Sequence, residues 1–220
     1  MGNPEKPKQF FFVGDKPILV HTVEKFCASG AFDKIIVLTP MSWIHQTRDL
    51  LAKFLPEYQG AIEIAAGGET RNDTILNSLR LLESEGLLGD DAILVTHDAV
   101  RPFVSLRIIE DNIDAARQTG ACDTVIPATD TIVESADGQM IASIPERRLL
   151  YQGQTPQSFN ARKLKEVLES LTEEEQAILT DACKAFVLRG IPVQMVRGDA
   201  SNIKITYPQD LRVAEAMLGE

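Results

Sequence analysis

Ala92-Ile93-Leu94-Val95-Thr96-His97-Asp98-Ala99-Val100-Arg101-Pro102 is the stretch on which the fold turns. Its apolar opening reads as a strand covered on both faces. A carboxylate and a guanidinium follow, three residues apart, where that strand would surface. In an open parallel sheet the carboxyl ends of the strands are the usual place for chemistry. Outward from this point, short apolar runs alternate with longer amphipathic stretches, the pattern of a β/α-wound sheet. Residues 34–38, 61–65 and 124–127 read as further strands. Between them lie helices: one opened by Asp15 and Pro17, one capped by Thr70 or Asn72, one capped by Ser105. Thr172-Glu173-Glu174-Glu175 and Thr206-Tyr207-Pro208-Gln209 read as capping boxes.

The totals narrow the class. The chain has 220 residues, enough for one large domain with a substantial core. Net charge is −10, which argues against nonspecific nucleic-acid binding. No stretch approaches the ~18 apolar residues of a membrane span, and the polar start has no signal-peptide core, so a cytoplasmic protein is expected. Cys27, Cys122 and Cys183 lack metal-ligand spacing and read as reduced core thiols.

One segment interrupts the alternation. Residues 131–134 and 139–144 flank Asp137-Gly138, a strong two-strand turn signal. An inserted hairpin has little core of its own, so residues 129–158 are expected to form an arm that packs on a second subunit, or else folds back on its own domain.

Several residues could do chemistry. Asp98 could ligate magnesium or accept a hydroxyl, and Arg101 could fork onto a phosphate; alternatively the two simply pair across a turn. Gly67-Gly68-Glu69-Thr70-Arg71-Asn72-Asp73-Thr74 stands between strand and helix, where glycines let backbone approach a ligand and a helix N-terminus favours anions. Lys204 lies in the apolar alternation Asn202-Ile203-Lys204-Ile205, where a lysine wants a partner. Thr155-Pro156-Gln157 reads as a rigid turn before a helix, and His97 as structural.

Taken together these segments resemble the CTP-dependent polyol-phosphate cytidylyltransferases, which make CDP-ribitol or CDP-methylerythritol. The matching motifs run in the family's order: Pro7-Lys8-Gln9-Phe10, Gly67-Gly68 with Arg71, His97-Asp98 with Arg101-Pro102, Asp130-Thr131, Gln154-Thr155-Pro156-Gln157 with Phe159, Thr180-Asp181, and Asn202-Ile203-Lys204. The resemblance implies a Rossmann-like, mostly parallel sheet with helices on both faces. It implies that Lys8 and Lys204 act on the triphosphate, that Gly68, Glu69 and Thr74 line the cytosine pocket, and that Asp98 and Arg101 serve the nucleotide, with Asp98 near Mg²⁺. Thr131, Arg147 and Thr155 would bind the acceptor's phosphate, some across a homodimer.

Tyr151-Gln152-Gly153-Gln154 and Leu179-Thr180-Asp181-Ala182-Cys183-Lys184 look more like the ribitol-phosphate branch, which feeds teichoic-acid synthesis. D-ribitol 5-phosphate is therefore the expected acceptor. The alternatives are 2-C-methyl-D-erythritol 4-phosphate of isoprenoid synthesis, another base or sugar, or an inactive dimerising remnant. Relatives open with an apolar strand and a glycine-rich loop ending in Arg-Met-Gly, whereas this sequence starts Met1-Gly2-Asn3. A missing central strand would leave its neighbours' backbone groups without partners.

Overall fold

The computed structural model describes residues 6–219; the Met1-Gly2-Asn3 start lies outside them. A short ribbon pairs β1 (Phe12–Val13) with β2 (Lys16–Pro17). Then α1 (Ile18–Ser29), which stops at Gly30 in a left-handed conformation, leads to β3 (Ile35–Thr39). After α2 (Ile44–Phe54), β4 (Ile62–Ala66) pairs with β3 in parallel. Next come α3 (Arg71–Ser84), β5 (Ile93–Thr96), α4 (Leu106–Thr119), β6 (Ala121–Pro127) and β7 (Tyr151–Asn160). The chain closes with α5 (Ala161–Glu169), α6 (Glu173–Ala177), α7 (Ala182–Leu188), β8 (Gln194–Arg197) and α8 (Pro208–Leu218).

The caps follow the sequence. Thr70 and Asp73 form a box at α3, Ser105 caps α4, and Thr172 with Glu175 caps α6. At α8 the box is shifted by one residue: the Asp210 carboxylate accepts from the amides of Thr206 and Tyr207. The fold is the expected α/β type with helices on both faces of the sheet. On one side Phe26 of α1 packs with Ile108, Ile109 and Ile113 of α4. On the other, α3, α5 and α7 close over Phe159 and Phe186, whose rings lie 5.2 Å apart. Cys122 and Cys183 are buried free thiols and Cys27 is half-buried.

The sheet comes in two main parts. One is β3 with β4; the other has the order β5-β7-β6-β8, with β7 antiparallel to both neighbours. Among the described residues β3 pairs only with β4, and β5 only with β7. A slot of about 570 Å³ lies between the two parts. Consecutive residues of both strands wall it, Ile35 to Leu38 and Ile93 to Thr96. Side chains alternate sides along a strand, so unbroken runs mean that the backbone edges themselves face the gap. Leu19 and Val23 of α1 and Ile75 and Ser78 of α3 also line it.

Two expectations need correcting. The segment at Thr155-Pro156-Gln157 is no turn: residues 151–160 form the longest strand, central to its sheet. Proline is normally excluded from a central strand. Here Pro156 sits where the pairing with β6 slips, Asp123 facing Gln157 and Val125 facing Gly153. The helix cap is then Asn160, whose side chain accepts from the Lys163 amide.

The hairpin, in turn, is reduced to a single antiparallel bridge, Glu134 to Ser143. Its tip is held by Asp137 Oδ1, which accepts from the amides of Gln139 and Met140. The arm closes at Ala128, whose amide donates to the Leu150 carbonyl at 3.0 Å. Residues 151–158 therefore belong to the sheet and not to the arm. Ile132, Val133, Met140, Ile141, Ile144 and Leu149 stand exposed on it, which explains why so few ladder bonds form without a packed face.

Candidate active site

The site is built at the carboxyl end of β5. The turn after it returns an amide from Arg101 to the Asp98 carbonyl, and the 202–205 segment zips against it through Ile205 N–H to the Val100 carbonyl at 2.9 Å. Arg101 Nη1 donates to the Asn202 carbonyl at 2.8 Å. This stitching explains how residues a hundred positions apart in sequence meet. Lys204 Nζ lies 3.0 Å from Asp98 Oδ2, Arg101 Nε 3.3 Å from the same oxygen, and Arg71 Nη1 2.9 Å from Oδ1. Burial works to raise the Asp98 pKa, but Arg71, Lys204 and Arg101 together outweigh it and hold the carboxyl down to about 2. Three cations share one carboxylate, a local charge of +2 on a chain of net −10.

Gln154, Thr155 and Gln157 of β7 hold these parts in register. Gln154 Nε2 donates to the Asp199 carbonyl at 2.8 Å, and its oxygen accepts from Asn202 Nδ2. A side chain at Gly198 would collide with that amide, its Cβ falling 2.4 Å from Gln154 Oε1. Thr155 is 3% exposed; its hydroxyl oxygen accepts from the Asp98 amide and lies 3.0 Å from His97 Nδ1. Gln157 Nε2 donates to Asp123 Oδ1 at 3.0 Å, while its oxygen faces Arg71 Nη2 at 3.5 Å.

His97 spans the turn, with Nε2 3.0 Å from the Arg101 carbonyl. A neutral ring satisfies every partner: Nε2–H donates to that carbonyl and Nδ1 accepts from the Thr155 hydroxyl. Burial lowers its pKa to about 4. Since an unfolded histidine titrates near 6.5, the unfolded chain binds the extra proton between those values. Stability therefore falls as pH drops through that window, by up to about 3 kcal/mol. Asp123, which burial raises to about 6, acts in the opposite sense over roughly pH 4–6. Between pH 6.5 and 4.5 the two nearly cancel in the unsubstituted chain, so urea denaturation of His97→Gln should show stability rising on acidification by about 2 kcal/mol relative to it; equal slopes would refute the assignment.

The structure places the other expected residues less uniformly. The Thr74 hydroxyl is occupied, accepting from the Gly68 amide at 2.9 Å and donating to the Thr70 carbonyl, so it shapes the glycine loop. Gly68 admits no other residue, because a Cβ there would fall 2.2 Å from that of Asp73. Glu69 is exposed beside it. Lys8 sits in the 3-10 turn Lys8–Phe10, anchored by Phe10 stacking on Trp43 at 4.9 Å; no carboxylate lies within ion-pair distance of it among the described residues. Thr131 is exposed on the arm, and Arg147 Nη1 donates to the Thr129 carbonyl beside a cavity of about 640 Å³. Neither is bonded to the Asp98 cluster. Thr155, expected to bind an acceptor phosphate, spends its hydroxyl inside the chain and serves as a joint.

In the sequence Arg71, Gln154, Gln157 and Asn202 stand out only as parts of motifs, and Asp123 carries no signal of its own. Arg71 carried one readable signal: a cation at the first position of a helix opposes the helix dipole and so asks for an anion nearby.

No group of three or more metal-ligating His, Cys, Asp or Glu occurs among the described residues. Asp98 already has both oxygens engaged by cations. This donor set suits Mg²⁺ only as an ion brought largely by nucleotide phosphates and water, with one carboxylate at most.

A sheet covered by helices on both faces, with cations gathered at the carboxyl end of one strand, is the frame of a nucleotidyltransferase. A model of the 2-C-methyl-D-erythritol 4-phosphate cytidylyltransferase family matches residues 2–220, and the chain belongs to that family. The solved 4-diphosphocytidyl-2C-methyl-D-erythritol synthase of Anaerococcus prevotii is 28% identical, with a TM-score of 0.81 over 95% of this chain and 88% of that one. The 2-C-methyl-D-erythritol 4-phosphate cytidylyltransferase of Francisella tularensis is 27% identical, with a TM-score of 0.81 over 96% and 93%. That of Thermus thermophilus is 29% identical, with a TM-score of 0.74 over 97% and 95%. No helix among the described residues is long and apolar enough to cross a membrane.

Proposed function

We propose that the chain transfers CMP from CTP to 2-C-methyl-D-erythritol 4-phosphate, releasing pyrophosphate. The observation that carries the reading is the convergence of Arg71, Arg101 and Lys204 on Asp98. An oxygen of the acceptor's phosphate bonds to the α-phosphorus of CTP as the bond to the bridging oxygen breaks. Two anions must meet, so offsetting their repulsion and the charge on the leaving group is the main catalytic task. Asp98 keeps the three cations close together before substrate arrives, so little reorganisation is needed when phosphates replace it as their partner. Lys204 and Arg71 carry the accessible charges, and Lys8 adds another from the amino-terminal turn. Mg²⁺, held by the nucleotide phosphates with Asp98 nearby, would supply further charge neutralisation.

The family supports the methylerythritol acceptor. D-ribitol 5-phosphate stays as the second reading on one observation, the likeness of residues 151–157 and 179–184 to the ribitol branch. Thr131 and Arg147 would reach an acceptor phosphate from the arm of a second copy, whose contact would also cover the exposed Ile141 and Ile144. The slot between β3 and β5 is read as the place of one further apolar strand.

Pyrophosphate release with each polyol phosphate, using CTP against UTP, tests the reading. CTP with methylerythritol 4-phosphate should exceed the other pairs by roughly 100-fold in kcat/KM, the scale of a site built around specific polar contacts. A larger rate with ribitol 5-phosphate would move the acceptor to the second reading. Equal use of UTP would overturn cytidine selectivity.

A further inference from the structure

Asp123 lies on β6 directly opposite Gln157 of β7. Its Oδ1 is held by Gln157 Nε2 at 3.0 Å, and Gln157 Oε1 faces Arg71, which binds Asp98. The amide is thus polarised between an anion and a cation, its NH₂ toward the carboxylate and its oxygen toward the guanidinium. This sets Asp123 one side chain away from the cationic cluster. Yet no cation pairs with it, and no side-chain donor reaches its Oδ2 among the described residues. Across from Oδ2 stands Gly153, where even a Cβ would lie 3.6 Å off, so the missing side chain leaves that oxygen room. A half-buried carboxylate that feels Arg71 and Arg101 but pairs with neither is an acceptor with room for a further donor.

Resting on the polyol-phosphate reading above, we propose that Asp123 recognises the hydroxyl chain of the acceptor, its Oδ2 accepting a hydrogen bond from a polyol hydroxyl. The charges orient the ligand. A phosphate is drawn to Arg71 and Lys204 and repelled by Asp123, while neutral hydroxyls gain a charge-assisted bond at the carboxylate. The acceptor therefore lies with its phosphate toward Asp98's cations and its carbon chain toward β6. Burial, which raises the Asp123 pKa to about 6, is the cost of keeping this acceptor poised.

The test is calorimetric binding of CTP, and separately of 2-C-methyl-D-erythritol 4-phosphate and D-ribitol 5-phosphate, to the unsubstituted chain, Asp123→Asn and Gly153→Ala. Asp123→Asn keeps the shape and turns the free acceptor into a donor; Gly153→Ala sets a methyl in ordinary contact with Oδ2, taking the space a hydroxyl would need without touching the charge. Both should weaken the preferred polyol phosphate about 10- to 100-fold, the scale of a hydrogen bond to a charged group, and leave CTP within twofold. Methyl phosphate, which has no hydroxyl chain, should bind all three proteins equally. If CTP and the polyol phosphate bind the unsubstituted chain and Asp123→Asn alike, the inference is overturned while cytidylyl transfer stands. If the polyol phosphate does not bind at all, the inference falls too. Failure of CTP to bind sinks the larger reading as well.

Discussion

Lys204→Ala should lower kcat/KM for CTP by about 100- to 1,000-fold, the usual loss when one preorganised charge is removed from a transition state, while the thermal midpoint moves by no more than a few degrees. The two halves of that expectation come from one geometry. Lys204 is brought to Asp98 by bonds that its own side chain does not make, Ile205 N–H to the Val100 carbonyl and Arg101 to the Asn202 carbonyl. Its side chain is 42% exposed, so the ion pair with Asp98 adds little stability. The ammonium is thus free to leave Asp98 for a phosphate. Arg101 is the contrasting case: its side chain is 10% exposed and bonded to both Asp98 and the Asn202 carbonyl. Arg101→Ala should unfold at markedly lower temperature, because it leaves the buried Asn202 carbonyl without a donor and takes from Asp98 the most buried of its three cations. Comparing the two by melting and by pyrophosphate release separates a cation that acts on substrate from one that builds the site. Retention of full kcat/KM by Lys204→Ala would remove the chief support for the charge-based mechanism.

Much of this was legible because it is local. The apolar run before Asp98 marks β5, and Thr70, Ser105 and Thr172 announce their helices by pairing side chain with backbone a turn later. The α/β class follows from the alternation of such segments. What escaped is what depends on pairing across the chain. Pro156 disguises β7, since nothing near it in sequence reveals that Asp123 and Val125, a hundred Å of chain contour away by ordinary residue spacing, slip by enough to receive it. Thr155 and Gln157 accordingly read as turn residues in the sequence, which offers nothing to join them to His97, Asp98, Arg71 and Asp123. The arm departs from expectation for the opposite reason: Asp137-Gly138 turns as expected, but a turn signal cannot supply the packed face that strands require.

Filling the slot between β3 and β5 should give the largest gain in stability. A five-residue strand of valine and isoleucine, joined ahead of Lys6 by a flexible linker, is expected to raise the thermal midpoint by about 5–10 °C. The walls state what belongs there. Two strand edges face each other, α1 covers one side and α3 the other, and the lining from Leu19, Val23, Ile36, Ile75 and Leu94 is apolar. A parallel strand in that position would make α1 a crossover between it and β3, the connection that βαβ units favour. Each apolar side chain fully buried contributes about 1.5–3 kcal/mol, set against about 1–2 kcal/mol per residue to order the backbone. The surplus is a few kcal/mol, and about 2–4 °C per kcal/mol applies to a chain of this size. The slot's upper rim includes Arg71, Thr74 and Asp98, so whatever follows such a strand would arrive over the cations, and CTP binding should tighten with it. Hydrogen exchange gives the direct reading: amides of β3 and β5 that point into the slot should gain protection, while those already paired with β4 and β7 change less. A serine-glycine extension of equal length should do neither. If the apolar extension leaves both the midpoint and those amides as they were, the slot is not a strand site, and the two parts of the sheet are stable as they stand.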